Sequence, residues 1–269
     1  MELPIPLISP LSATHPTSRP SSAWTTWGQW LALITMTMDH VVRYLLPGSW
    51  DVGWVSSSIG RIAFPLFAAM VAWHGLFNTH NPTRYALRIL LIGLIAQLPY
   101  MAMTRDDFKL NICFTLVLGL CWGTWLRSLA HRSNPEGLSY FFIIWLSIAT
   151  TLFAWLFVGQ WVEYGHGGLL MIPFFMFALH VLNQPADTLI KQLTAVSAAL
   201  PLLINAVLLN SSIMAKFFTV ATCFLVLLMA AGAANRIPQV SFRMPRFIWR
   251  AWYPGHLLAI VVLLHWPDG

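Results

Sequence analysis

The sequence predicts an all-α, polytopic transmembrane helical bundle of about nine spans, and three observations carry that prediction. The first is composition: of 269 residues, 58% are hydrophobic and only 9% are charged, with a mean hydropathy of +0.68. A soluble domain carries roughly 25% charged residues. The second is arrangement, because the apolar residues fall in runs; at about 20 residues per span, about nine spans use roughly two-thirds of the length. The third is the placement of Lys and Arg, which gather on alternate connections between the runs. These features exclude a soluble enzyme, a DNA-binding domain, a secreted disulfide scaffold and a single-span receptor.

Residues 1–23 are rich in Pro, Ser and Thr and carry little charge. They lack a basic leading region and a long apolar stretch, so they predict a disordered cytoplasmic tail rather than a cleavable signal. Residues 24–269 are expected to form one transmembrane domain. The first apolar run, from about Trp27 to Leu46, contains Asp39, His40 and Arg43, which a signal sequence would not tolerate. The runs that follow are roughly Ser58–Phe77, Tyr85–Met103, Ile112–Ala130, Tyr140–Val158, Gly167–Leu182, Leu193–Leu209, Ile213–Ala234 and Ala251–Trp266. The sixth and ninth of the series are short. Pro47, Pro82, Pro135, Pro185 and Pro238 fall between runs, where a missing backbone donor costs least. No soluble domain and no internal repeat is legible, so the inverted-repeat signature of many transporters is missing.

Orientation follows from the basic residues. With the N-terminus inside, the cytoplasmic stretches hold Arg19, Arg84, Arg88, Arg127, Arg132, Lys191, Arg236, Arg243, Arg246 and Arg250. The outer stretches hold Arg105, Lys109 and Lys216, the first two beside Asp106 and Asp107. That bias predicts a cytoplasmic N-terminus. It also accounts for the net charge of +6 and the pI of 9.6, through basic loops facing anionic headgroups rather than nucleic acid. Cys113, Cys121 and Cys223 all lie in apolar runs and read as small hydrophobes, with neither a disulfide framework nor metal-type spacing.

A charge at mid-bilayer costs about 2.5–3.5 kcal/mol on insertion scales, so it needs a partner or a task. Asp39 and His40 lie in the outer half of the first span. Thr35, Asp39 and Arg43 share a helical face at four-residue spacing. Adjacent helical positions point about 100° apart, so Asp39 is poorly placed to orient His40; it can pair instead with Arg43, or with Arg61 from the second span. His40 is then free to act as a general base, against the alternative of a packed histidine beside a structural ion pair. Arg61 sits in Gly60-Arg61-Ile62-Ala63-Phe64-Pro65, where Pro65 can kink the second span and open space for a polar site.

Arg84 and Arg88 straddle the inner start of the third span, and Arg243, Arg246 and Arg250 precede the last. Each cluster is either a headgroup anchor or a phosphate site, for which guanidinium is well suited. Glu163-Tyr164-Gly165-His166-Gly167-Gly168 lies in an outer loop, where a carboxylate and a histidine flanked by glycines suggest close backbone approach to a ligand, or an interfacial turn. His256, in Tyr253-Pro254-Gly255-His256-Leu257, is expected near the inner face, capping backbone or touching a ligand. His74 and His80 carry less signal. Metalloprotease, phosphate-loop and nucleophile-elbow motifs are absent. No spacing demands a metal, although His40, Glu163 and His166 could ligate one.

Several segments, in this order, resemble the TraX family of conjugal-transfer membrane proteins, which includes a pilin N-acetylase. They are Met38-Asp39-His40, Gly60-Arg61-Ile62-Ala63-Phe64-Pro65-Leu66-Phe67, Tyr85-Ala86-Leu87-Arg88, Gln97-Leu98-Pro99-Tyr100 and Leu110-Asn111-Ile112-Cys113-Phe114-Thr115-Leu116. Glu163-Tyr164-Gly165 with Gly168, and Tyr253-Pro254-Gly255-His256-Leu257, complete the set. Asp39, His40, Arg61, Arg88, Glu163 and His256 match the family's polar positions.

The resemblance implies transfer of an acetyl group from cytoplasmic acetyl-CoA to the N-terminal amine of a pilin subunit, at the outer side of a bacterial inner membrane. The roles of individual residues follow from their chemistry and topology rather than from the match: the expected catalytic set is His40, Asp39, Arg61, Glu163 and His166, and the expected acetyl-CoA site is Arg84, Arg88, Arg243, Arg246, Arg250 and His256. No metal and no nucleic acid is expected. Two other function classes fit the same residues. One is a proton-coupled transporter or flippase with Asp39 and His40 as a relay; the other is a non-catalytic pilus-assembly protein.

Overall fold

The computed structural model describes residues 22–48, 52–104, 108–132, 138–185, 188–236 and 244–266. Nearly all of the expected N-terminal tail lies outside these, as do Arg19, Arg105, Asp106, Asp107, Pro135, Pro238 and Arg243. The described residues are helical, without a named strand, and place a helix on every apolar run. Helix α1 (Ala23–His40) continues as a π-helical turn, Val41–Leu45. The second span is composite: α2 (Gly53–Ser57), a 3₁₀ turn (Ile59–Ile62), α3 (Ala63–Trp73) and a π-turn (His74–Asn78). Then come α4 (Pro82–Thr104), α5 (Ile112–Arg132) and α6 (Leu138–Phe153), which is extended by turns through Trp161. The last four are α7 (Gly165–Leu182), α8 (Leu189–Leu208), α9 (Ile213–Ala230) and α10 (Arg246–Leu264).

Eight of these segments are long and apolar enough to cross a membrane. The remaining one, α1, is long enough with its π-turn, but it dilutes its apolar surface with Thr25, Thr35, Asp39 and His40, all of them buried. The two runs that looked short are full helices, because α7 starts at the Tyr164–Gly165 turn and α10 starts among the arginines at Arg246.

Packing concentrates on α3, α5 and α7, whose Phe64, Trp73, Leu120, Met171, Ile172, Phe175 and Leu179 are almost wholly enclosed. Helix α1 packs on α3, α10 on α4, and α8 and α9 close the far side of α7. Of the eight apolar spans the second is the most enclosed, whereas none of the described side chains of α6 itself is buried. Pro65 falls in the first turn of α3, directly after the 3₁₀ break. There its missing N–H leaves no hydrogen bond unmade. The opening in the second span is therefore the irregular segment before Pro65, and that segment brings Gly60 beneath α1.

Short connections make successive spans alternate in direction, so Arg84, Arg88, Arg127, Lys191, Arg236, Arg246 and Arg250 collect at one end of the bundle. We call it the basic end.

Candidate active site

The last turn of α1 supplies two buried polar side chains facing different ways. Asp39 pairs with Arg43, one turn on, through Nη2 at 3.0 Å from its carboxylate oxygens. Ser56 of α2 donates its hydroxyl to the same carboxylate. Gly60 lies against it so closely that a Cβ there would stand 2.6 Å from Asp39 Oδ1. Of the two partners open to Asp39 in the sequence, Arg43 is therefore the one it has. Arg61 keeps a buried Nε with no hydrogen-bond partner among the described residues. Its charge is felt at Glu163 and Tyr164 instead.

His40, 8% exposed, turns toward α10. Its Nδ1 lies 2.8 Å from Nε2 of His256, and Nδ1 of His256 lies 2.8 Å from the Trp252 carbonyl oxygen. A carbonyl only accepts, so His256 Nδ1 carries a proton. In the neutral ring its Nε2 must then accept, and His40 Nδ1 must donate. This leaves His40 Nε2 unprotonated, with its lone pair available as a base. The Trp252 indole also donates to Thr37 Oγ1 at 2.9 Å, fastening α10 to α1 beside the histidine pair.

The third component is the turn before α7. Val162 forms a parallel bridge with Leu110, in which Leu110 N–H bonds Trp161 O at 2.8 Å and Glu163 N–H bonds Leu110 O at 2.9 Å. Thr115 donates to the Glu163 carbonyl at 2.8 Å. Tyr164 is the one non-glycine with positive φ (62°) among the described residues, and this conformation lays its ring on Phe64 at 4.1 Å and 12°. A non-glycine held there is strained, and such strain is found where function requires it. Gly168 allows the turn, since a Cβ there would lie 2.7 Å from Tyr164 Cβ. Burial raises the Glu163 carboxyl to a pKa of about 7, against the opposing pull of the Arg43 charge and of the Ile112 amide that hydrogen-bonds it.

The loop that meets this turn is fixed by Asn111. Its side-chain amide donates to Gly93 O and to Gln97 Oε1, both at 2.8 Å, and Asn111 Oδ1 accepts from Cys113 N–H at 3.0 Å. Gln97 also donates to Lys109 O at 2.7 Å. Two segments distant in sequence, around Gln97 and Asn111, thus form one hydrogen-bonded bracket.

Two adjoining cavities connect these parts. A small one, of about 20 Å³, is lined by His40, Phe64, Glu163 and Tyr164, and shares Met36, Phe67, Ile112 and Tyr253 with a larger one of about 230 Å³. The larger runs between α1, α3, α4, α5 and α10, with Arg88, Arg246 and Arg250 on its walls toward the basic end. Tyr253 lines both cavities, and its hydroxyl is buried.

The structure therefore brings Asp39, His40, Glu163 and His256 into one neighbourhood, with Arg61 beside it. His256 sits ten residues into α10, about 15 Å from its start, and so faces His40 at mid-depth rather than the inner mouth. His166 lies elsewhere, against Gly159 and 5.2 Å from the Trp155 ring. Arg88, Arg246 and Arg250 share a cavity; Arg84 is exposed outside it, its backbone N–H capped by Asn81 at 2.9 Å. His74 bonds Asn78 at 2.8 Å, apart from the site. Among the described residues, no three His, Cys, Asp or Glu side chains converge as a metal site would require. Ser56, Asn111 and Tyr253 are components with no assigned role in the sequence. Asn111 and Tyr253 lie in segments that resemble the family, which was their signal in the sequence; Ser56 lies in none of those segments.

A family model described as TraX protein matches residues 28–264. Among curated proteins, an uncharacterized protein of Rickettsia prowazekii is 26% identical over 135 residues, 50% of this chain and 48% of that protein. A probable fimbrial assembly protein, FimC, of Dichelobacter nodosus is 33% identical over 102 residues, 34% of this chain and 41% of that protein. The chain thus spans less than half the length of either relative. No solved structure matches.

Proposed function

The chain belongs to the TraX family, and on that premise we propose that it is an integral membrane acetyltransferase of the bacterial inner membrane, with its N-terminus cytoplasmic. It moves an acetyl group from cytoplasmic acetyl-CoA to the N-terminal amine of a pilin subunit on the outer side. The observation that carries this reading is the passage from Arg88, Arg246 and Arg250 to His40, whose Nε2 is left as an unprotonated base. The fimbrial name of one relative supports the pilus setting.

The site's chemistry suits both substrates. Three guanidiniums at the basic end match the phosphates of CoA, and the apolar shaft past Leu33, Met36, Phe67 and Ile92 accepts a slender arm. At the far end Glu163, as carboxylate, holds the incoming ammonium. Glu163 takes one proton from the ammonium, and the neutral nitrogen attacks the thioester carbonyl carbon; the C–N bond forms and the C–S bond breaks. His40 Nε2 takes the proton shed by the nitrogen and returns it to the departing thiolate. The Arg61 charge supports the developing oxyanion, with Tyr253 on the same cavity wall as His40. Asp39 and Arg43 neutralise each other and hold the end of α1 in register with α2.

Intact mass spectrometry of a co-expressed pilin tests this reading. One acetyl mass at the pilin N-terminus is expected with the wild-type protein, and none with His40→Ala, which still inserts in the membrane. Full acetylation with His40→Ala would overturn the assignment of the base. No mass change with either protein would favour another acceptor or a transporter.

A further inference from the structure

Helix α6 stands apart from the bundle in a way its neighbours do not. None of the described side chains of α6 itself is buried, although it approaches α5, and its π-turn approaches α7. What separates it from the α5–α7 pair is a slot made of two cavities, of about 580 Å³ and about 340 Å³, that share Trp122 as a wall. Adjacent residues of α6, Thr151 and Thr150, line one cavity each. Along α5 the slot reaches from Leu118 to Ala130, about 18 Å of helix, close to one leaflet of a hydrocarbon core about 30 Å thick. The slot is separate from the His40 passage and shares no residue with it.

Its chemistry is graded along that length. The part away from the basic end is wholly apolar apart from Cys121 and Thr150. At the waist Trp122, 9% exposed, forms the wall common to both parts. About 7.5 Å further along α5, at the basic end, Arg127 lines the wider part. No acidic side chain lines either part. A void of this size between helices in a bilayer has to be filled, and a guanidinium on a wall without carboxylates favours an anionic occupant.

We infer that the slot binds one anionic glycerophospholipid from the leaflet at the basic end. Its phosphate lies on Arg127, and an acyl chain fills the apolar part between α6 and the α5–α7 pair. The lipid thereby supplies the packing that ties α6 to the bundle. A transmembrane helix, about 10 Å across with its side chains, would have to displace α6, which already walls both cavities.

The test is native mass spectrometry of the full chain, released by mild detergent from vesicles of equal phosphatidylglycerol and phosphatidylethanolamine. One retained phospholipid is expected, with the glycerol form enriched several-fold. Arg127→Gln, an exposed position, should abolish the enrichment while lipid is still retained. Thr151→Trp, which fills the slot from α6, should lower total retention several-fold in either background. The inference is overturned if no phospholipid is retained, if the wild type and Arg127→Gln show the same lipid preference, or if Thr151→Trp retains as much lipid as the wild type. It stands or falls independently of the acetylation assay.

Discussion

His40 and His256 are 216 positions apart in the chain and meet at 2.8 Å, Nδ1 to Nε2. Because the Trp252 carbonyl fixes the proton on the far nitrogen of His256, the contact is directional. On the proposed mechanism His256 is a positioning residue, setting which nitrogen of His40 is basic and which way the ring faces.

Removing that acceptor should cost rate rather than fold. His256→Ala is expected to lower kcat for pilin acetylation by on the order of 10²-fold, the effect of a misaimed catalytic group. KM for acetyl-CoA should change little. His256→Gln, whose side-chain oxygen can accept the same hydrogen bond, should restore much of the loss; equal defects in both variants would argue for simple packing.

The Glu163 carboxyl gives stability a dependence on pH. Its pKa rises from an ordinary 4.5 to about 7 on folding, so the folded chain binds this proton more tightly than the unfolded one. This group's contribution therefore falls as pH rises from about 4.5 to about 7, and is level above that. Thermal unfolding in detergent should show that slope in the wild type and a flatter one in Glu163→Gln. Acetylation should weaken below pH 7 as the carboxylate that holds the ammonium is protonated.

The basic-end arginines should divide by position. Arg88→Gln is expected to raise KM for acetyl-CoA about tenfold, equivalent to about 1.4 kcal/mol, with kcat nearly unchanged. Arg84→Gln, four residues away but outside the cavity, should change KM less than about twofold. Equal effects would mean that both residues act as membrane anchors.

Gly60 has no room for a methyl group. A Cβ there would lie 2.6 Å from Asp39 Oδ1 and 2.7 Å from Asp39 Cβ. Gly60→Ala should therefore displace the carboxylate from Arg43 and Ser56 and lower stability by about 1–3 kcal/mol, read as a drop in Tm. An unchanged Tm would show that α1 can shift to make room.

The sequence alone determined the class of molecule, the helical runs and the family. Each follows from local quantities: apolar run length, the side of each run that carries Arg and Lys, and short motifs. The Asp39–Arg43 pairing was visible as an option because helical spacing places residues four apart on one face. The choice of Arg43 over Arg61 was not, since it depends on how the 3₁₀ segment Ile59–Ile62 lies under α1. Nor could spacing separate His256, which joins His40, from His166, which packs on Gly159. Adjacent helical residues face different neighbours, and only the arrangement of α1, α3, α7 and α10 in space decides which ones. The protonation of His40, the cavities from Arg88 to Glu163, and the slot beside α6 are likewise properties of side chains brought together by packing, which no single segment encodes.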